Sequence, residues 1–230
     1  MLTTSSLIED RYTVIRQRID VAAKEAGRSP SDITLLAVSK RQPLEAIDTL
    51  YNLGHRDFGE NQVQEWQRKA TSRQNAEALR WHLIGPIQTN KAKFVARNRP
   101  SLVHTVDRPS LIAALEKRLE GSLSLRVLLQ VNIDQEPQKA GVHPDALREL
   151  AENVAASKNL SLAGLMCIPA QGGESRRAFE RMRLLGTTLE DLTGHPLELS
   201  MGMSQDFEDA IREGSTIVRV GSALFGPRMP

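Results

Sequence analysis

Apolar and polar residues come in blocks along this chain, and the blocks change period as they go. Ile8, Ile15, Ile19, Ala22 and Ala26 recur at helical spacing and Gly27 follows, which predicts an amphipathic helix at the front. Ile33 to Val38 is a short unbroken apolar run, the pattern of a strand buried on both faces. Pro43 and Gly54 bracket a second helix in the Pro-first, Gly-last order expected of helix ends. Short strands are predicted at Asp57–Phe58, Trp81–Ile84 and Leu102–Thr105, then a helix led by Asp107 and Pro109 to about Glu120. Leu125 to Val131 is the clearest strand, and Pro144 opens a helix to about Ser157. Leu160 to Ile168 reads as a strand and Glu174 to Leu192 as a helix. A brief strand at Leu197–Leu199, a helix at Gln205–Glu213 and a last strand at Thr216 to Val220 complete the pattern.

Buried strands that alternate with helices pair in parallel through right-handed crossovers. Eight such units predict an α/β chain folded as a (β/α)₈ TIM-type barrel with an extra N-terminal helix. An open doubly wound sheet is the alternative. It would usually carry a Gly-rich turn after the first strand, and Val38 to Pro43 has no glycine. The chain has 230 residues and no internal repeat, linker or low-complexity segment, so residues 1–230 are expected to form one barrel domain.

Composition narrows the classes of function. The chain is 40% hydrophobic and 25% charged, ordinary for a globular protein. Thirty basic residues against 28 acidic ones leave a net charge of +2. With 5 Phe, 2 Trp and 2 Tyr, base stacking is not the expected business, so no nucleic-acid partner is expected. The single cysteine, Cys167, excludes an internal disulfide and any C-x-x-C motif, which favours a reducing compartment. Glu9 and Asp10 interrupt the start before an apolar stretch develops, so no signal peptide is expected. The uncharged run from Asn159 to Gly173 is short and contains Pro169, so no membrane span is expected either. These features together point to a cytoplasmic protein.

In a barrel of this type the site lies at the C-terminal ends of the strands, with phosphate commonly held after the seventh and eighth. The segments there, Ser200 to Ser204 and Gly221 to Gly226, both combine glycine with hydroxyls and precede expected helix starts. Ser204 and Ser222 also suit plain helix caps. Lys40 follows the first strand and, counting by two, shares the face of Val38 and Leu36. A partly desolvated lysine keeps a neutral amine that can attack an aldehyde. The competing reading is a lysine reaching out to solvent from a strand end. Arg219 stands inside the last strand, where its guanidinium needs an acceptor. A carboxylate on a neighbouring strand would serve equally well. Asn61, just past the second strand, can sit at the mouth or cap a helix. His55, His82, His104, His143 and His195 are scattered without metal-ligand spacing, so no metal is expected; packing suits His82 and His104 best. Cys167 falls in a core strand and reads as a small hydrophobe.

Further segments carry a resemblance. They are LLAVSK (Leu35 to Lys40), FGEN-x-VQE (Phe58 to Glu65), WHLIG-x-x-Q-x-NK (Trp81 to Lys91) and VDR (Val106 to Arg108). They continue as VN (Val131, Asn132), E-x-x-K-x-G (Glu136 to Gly141), GLM-x-IP (Gly164 to Pro169), LSMGMS-x-D (Leu199 to Asp206) and GST-x-VR-x-G (Gly214 to Gly221). In this order the chain resembles the pyridoxal phosphate homeostasis proteins, the alanine racemase N-terminal-like family. Gln62 departs from the tyrosine usual after FGEN. The resemblance implies a barrel holding pyridoxal 5′-phosphate (PLP) as an internal aldimine on Lys40. It implies that Ser200, Gly221 and Ser222 hold the phosphate, Arg219 faces the pyridine nitrogen, and Asn61 lies beside the cofactor. An arginine there disfavours a proton on the ring and weakens carbanion chemistry. The function implied is intracellular PLP homeostasis, a carrier or buffer without strong catalysis, with apo PLP-dependent enzymes as expected recipients and a monomer as the default.

Two enzymatic alternatives share these residues. An amino-acid racemase needs an acid/base on each face of the cofactor, and in racemases of this fold a C-terminal β-domain supplies a tyrosine. With the sequence running to Pro230 no such β-domain is expected, and Tyr12 and Tyr51 fall on early helices. A Schiff-base aldolase would use the same lysine and anion cradle but carry no chromophore.

Overall fold

The computed structural model describes residues 4–72, 78–119, 124–170 and 174–226. Eight parallel strands close into a barrel in chain order. They are β1 (Thr34–Val38), β2 (Asp57–Glu60), β3 (Arg80–Leu83), β4 (Leu102–Val106), β5 (Leu125–Val131), β6 (Leu160–Cys167), β7 (Glu198–Ser200) and β8 (Ile217–Val220). β8 returns onto β1 with Arg219 opposite Leu36 and Val220 opposite Ala37, so no strand edge is left open. The (β/α)₈ expectation is met.

Side-chain alternation builds two separate cores. Leu36, Leu102, Leu128, Ala163, Met166 and Ile217 point inward and fill the barrel, with Ile84 packed on them. The intervening residues, such as Leu35, Ala37, Val127, Leu129 and Val218, point outward under the helices. Two irregularities reset this alternation, one on β4 between Val103 and Val106 and one on β6. Val127 pairs with Leu162 but Leu128 pairs with Gly164, so Ala163 is an extra residue on β6. That bulge is why Ala163 and Met166, three apart, both face the interior.

The helix at the front is α1 (Thr4–Glu25). Ile8, Ile15, Ile19, Ala22 and Ala23 are its buried face, while Ala26 lies just past its end and is half-buried. Each fully buried isoleucine contributes about 1.5–3 kcal/mol of hydrophobic stabilisation. α2 (Leu44–Asn52) starts after Pro43 and stops before Gly54, whose φ of +87° suits glycine. Two helices have no counterpart in the sequence reading: α3 (Val63–Ser72) and α4 (Ala92–Asn98). On α3 the buried positions are Val63, Trp66 and Lys69, so a lysine interrupts the apolar stripe. α5 (Pro109–Glu116) stops earlier than expected, and Glu120 lies outside the described residues. The segment after β5 starts as a short turn at Pro144–Ala146 and continues as α6 (Leu147–Ala155). The expected helix to Leu192 is divided into α7 (Ser175–Thr187) and α8 (Glu190–Thr193). α9 (Phe207–Arg212) and α10 (Ser222–Phe225) follow β7 and β8. Among the described residues no helix is long and apolar enough to cross a membrane.

Candidate functional site

The C-terminal ends of β1 and β8 meet, which brings Lys40 and Gly221 to one mouth. β1 ends at Val38, and Lys40 lies in the turn beyond it, half-buried. A methyl group added to Gly221 would lie 3.4 Å from Val38 Cβ, so the loop after β8 passes directly over the end of β1. Asn61, half-buried, occupies the same level one strand over. Its backbone is packed so closely on Gly85 that a Cβ there would fall 2.2 Å from the Asn61 carbonyl. The Gln62 side chain is exposed, and its carbonyl accepts from Trp66 N, so the departure at this position leaves the start of α3 intact.

The two terminal loops are joined by hydroxyls. Ser204 Oγ accepts from Ala223 N at 3.4 Å and meets Ser222 Oγ at 3.5 Å. Ser222 is exposed, at the start of α10, whose first N–H groups have no partner within the helix. Ser200 lies deeper than these loop hydroxyls. Its hydroxyl is fully buried inside the barrel, 2.9 Å from His104 Nδ1 and accepting from Arg219 Nη1 at 2.8 Å. The reason is strand parity: Leu199 points outward under the helices, so Ser200 points inward.

Arg219 is 5% exposed. Among the described residues its guanidinium donates to the Ser200 carbonyl (2.6 Å), the Ser200 hydroxyl and the Cys167 carbonyl (2.8 Å), all oxygens of neutral groups. Asp206 acts on it only as a charge at a distance. The ion pair with a neighbouring-strand carboxylate, one of the two sequence readings, does not form. Burial lowers the guanidinium pKa from its ordinary value, and even so arginine remains charged. This is therefore a buried cation with no carboxylate in contact.

Sequence reasoning missed what runs down from it. His104 Nε2 lies 2.9 Å from His82 Nδ1, and His82 Nε2 lies 3.5 Å from Asp57 Oδ1. Asp57 in turn is held by Arg80 through two hydrogen bonds of 2.6 and 2.7 Å. Asp57 and Arg80 are the first residues of β2 and β3, so this polar relay crosses the barrel interior from its N-terminal end to Arg219. Burial, reinforced by the charges of His82 and Arg219, holds His104 well below the ordinary imidazole range. The only sequence signal was that both histidines share the inward parity of their strands.

The remaining candidates lie elsewhere. His55 packs edge-on to Tyr12 and Phe58 and is held near pKa 4, chiefly by burial. His143 and His195 are exposed. Cys167 is fully buried, and burial pushes its thiol up to about 12, so it is no nucleophile. Lys139 pairs with Glu136 and reaches the Ile168 carbonyl at 3.5 Å. Among the described residues no group of three His, Cys, Asp or Glu side chains could hold a metal.

This arrangement has known counterparts. The family model for the alanine racemase N-terminal domain matches residues 13–229. The pyridoxal phosphate homeostasis protein of Escherichia coli K12 is 44% identical over 220 residues, covering 93% of this chain and 94% of that protein. A crystal structure from Bifidobacterium adolescentis superposes with a TM-score of 0.89 at 32% identity, covering 97% of both chains. PipY of Synechococcus elongatus, solved with PLP bound, gives a TM-score of 0.78 at 34% identity, covering 92% of this chain and all of that one. With relatives this similar over nearly its whole length, the chain belongs to the pyridoxal phosphate homeostasis proteins of the alanine racemase N-terminal domain family.

Proposed function

We propose that the chain binds PLP at this mouth and serves as an intracellular carrier or buffer of it. One observation carries the reading: a lysine at the end of β1 and a buried arginine that, among the described residues, meets only neutral oxygens converge on the same barrel end. A group with an aldehyde at one edge and an electron-rich ring nitrogen at another fits that donor set. PLP supplies an aldehyde that a neutral amine condenses with, releasing water, and a ring that draws electrons from the condensed carbon.

Lys40 provides the amine. Arg219 faces the ring nitrogen and, as a cation, opposes a proton there. Asn61 orients the ring from the next strand. Gly221 lets the backbone approach, and Ser222, with Ser204 beside it, offers hydroxyl and N–H donors to the phosphate. Ser200 acts from below by fixing Arg219. The naming of the E. coli relative and the PLP held by PipY support this assignment. Residues 1–230 act as one barrel domain and as a monomer, without nucleic acid or membrane, and apo PLP-dependent enzymes are the recipients. The lone buried thiol of Cys167 suits the cytoplasm.

The test is direct. Protein loaded with PLP should absorb in the visible, and borohydride followed by peptide mapping should find the pyridoxyl group on Lys40. Lys40→Ala should lack both signals and keep its fold. An adduct mapped mainly to Lys91 or Lys139 would overturn the assignment.

A further inference from the structure

One buried ionic cluster adjoins Lys40 and belongs to none of the groups above. Lys69 of α3 is 8% exposed, and each of its three ammonium protons has an acceptor. They are the Ser39 carbonyl at 2.7 Å, Glu60 Oε1 at 2.8 Å and Glu65 Oε1 at 2.9 Å. Ser39 Oγ donates to the same Glu60 oxygen at 2.6 Å. The Glu65 oxygen also accepts from Arg41 N at 2.6 Å.

These bonds grip the chain on both sides of Lys40. Ser39 is held by its carbonyl and its hydroxyl, and its N–H reaches the Gly59 carbonyl at 3.0 Å. Arg41 is held by its N–H in a left-handed conformation, φ 60°, which a side chain with a Cβ adopts only under constraint. That turn directs the chain away from the barrel immediately after Lys40. Burying a lysine with two carboxylates gives little net stability compared with an apolar residue of similar size. The cluster's distinguishing product is the fixed 39–41 backbone.

We propose that Lys69, acting with Glu60 and Glu65, is a positioning residue for Lys40. It holds the backbone that carries the reactive amine so that the amine is presented to the mouth before any ligand arrives. The proposal rests on the reading that Lys40 takes the aldehyde, and the experiment separates the two.

The probe is pyridoxal, which has the aldehyde but no phosphate, so the terminal loops do not contribute. The rate of adduct formation is followed by visible absorbance, with borohydride trapping and mapping, in wild type, Lys69→Met, Glu65→Ala and Glu65→Gln. Hydrogen exchange at the Arg41 amide, without ligand, is measured alongside. Lys69→Met and Glu65→Ala should slow adduct formation on Lys40 by about tenfold or more, the scale of a small misplacement of a reacting group. Glu65→Ala should also speed exchange at Arg41. Glu65→Gln keeps an oxygen for the Arg41 N–H and should recover most of the rate. Wild-type rates in folded Lys69→Met and Glu65→Ala would overturn the positioning role alone, as would equal slowing by Glu65→Ala and Glu65→Gln. If Lys69→Met does not fold, the Glu65 pair decides by the same criterion. An adduct mapping away from Lys40 in the wild type would overturn both readings.

Discussion

His82 Nδ1 and His104 Nε2 face one another at 2.9 Å in the barrel interior. One of the two must donate and the other accept, so both rings cannot be fully protonated. With both rings neutral, one choice of tautomers satisfies every group in the relay. Arg219 donates to Ser200 Oγ, Ser200 donates to His104 Nδ1, His104 Nε2–H donates to His82 Nδ1, and His82 Nε2–H donates toward Asp57. Every donor then points from the cation at one end to the anion at the other. In that arrangement the relay joins Arg219 at one end to Asp57 at the other, while Asp206 acts on the guanidinium as a charge at a distance.

That connection can be measured as an energy. His82 and Ser200 are joined only through His104 in this relay. Separate sites normally add, whereas members of one network couple by about 0.5–3 kcal/mol. A double-mutant cycle on His82→Ala and Ser200→Ala should give coupling in that range in denaturant unfolding. The same cycle in a His104→Phe background should give none. Simple additivity in the wild-type background would mean that the relay is not continuous.

Acid should weaken the fold before the carboxylates titrate. His104 is held well below its ordinary range, and His55 sits at about 4, both chiefly by burial. Each stays neutral in the folded protein while the unfolded chain charges it below pH about 6.5, so the unfolded state binds more protons there. Stability is therefore complete above that pH and falls as the pH drops, by about 1.4 kcal/mol per unit for each imidazole. Glu60 works in the opposite sense, because burial raises its pKa and protonates it earlier when folded. Denaturant midpoints at pH 7 and pH 5 should show the loss, and His55→Phe should lessen it. Equal midpoints would mean that these rings are charged in the fold.

The two hydroxyl groups near the mouth should separate by ligand. Ser222 and Ser204 bridge the terminal loops, whereas Ser200 lies beneath Arg219. Ser222→Ala and Ser204→Ala should each weaken PLP by about 1–2 kcal/mol, the scale of a hydrogen bond to a charged group, and leave pyridoxal nearly unchanged. Ser200→Ala should weaken PLP and pyridoxal alike, since it acts through Arg219. Titrations of both ligands decide; equal loss of both in Ser222→Ala would remove the phosphate from these loops.

The barrel was legible because its strands are unusually clean. Leu125 to Val131 alternates inward and outward without a fault, and all eight strands fell where the apolar runs placed them. Lys40, Arg219 and the terminal loops were legible as positions, since they follow from strand ends. Other features were not. The α3 stripe has a lysine at its third buried position, so its periodicity is hidden until Glu60 and Glu65 are seen around it. The bulge at Ala163 shifts the parity of β6. The relay depends on contacts between β4 and β7, strands on different sides of the barrel, and spacing along the chain carries no record of them.

Racemisation needs a proton donor and acceptor on both faces of the bound ring, and Lys40 approaches from one. The chain's two tyrosines do not supply the other. Tyr12 packs on His55 at 5.5 Å and Tyr51 lies under Arg56 at 4.0 Å, and His55 and Arg56 immediately precede β2, at the barrel end remote from Lys40. His82 and His104 are committed to one another, and the Cys167 thiol is held protonated. In the proposed placement Arg219 adds an electronic reason, since a ring nitrogen facing a cation stays unprotonated and draws electrons weakly. Protein loaded with PLP should therefore exchange it with L-alanine in deuterium oxide while showing little inversion and slow loss of the alpha proton. Turnover near the common enzyme scale of about 10 per second, abolished by Lys40→Ala, would instead make this chain an enzyme and end the carrier reading.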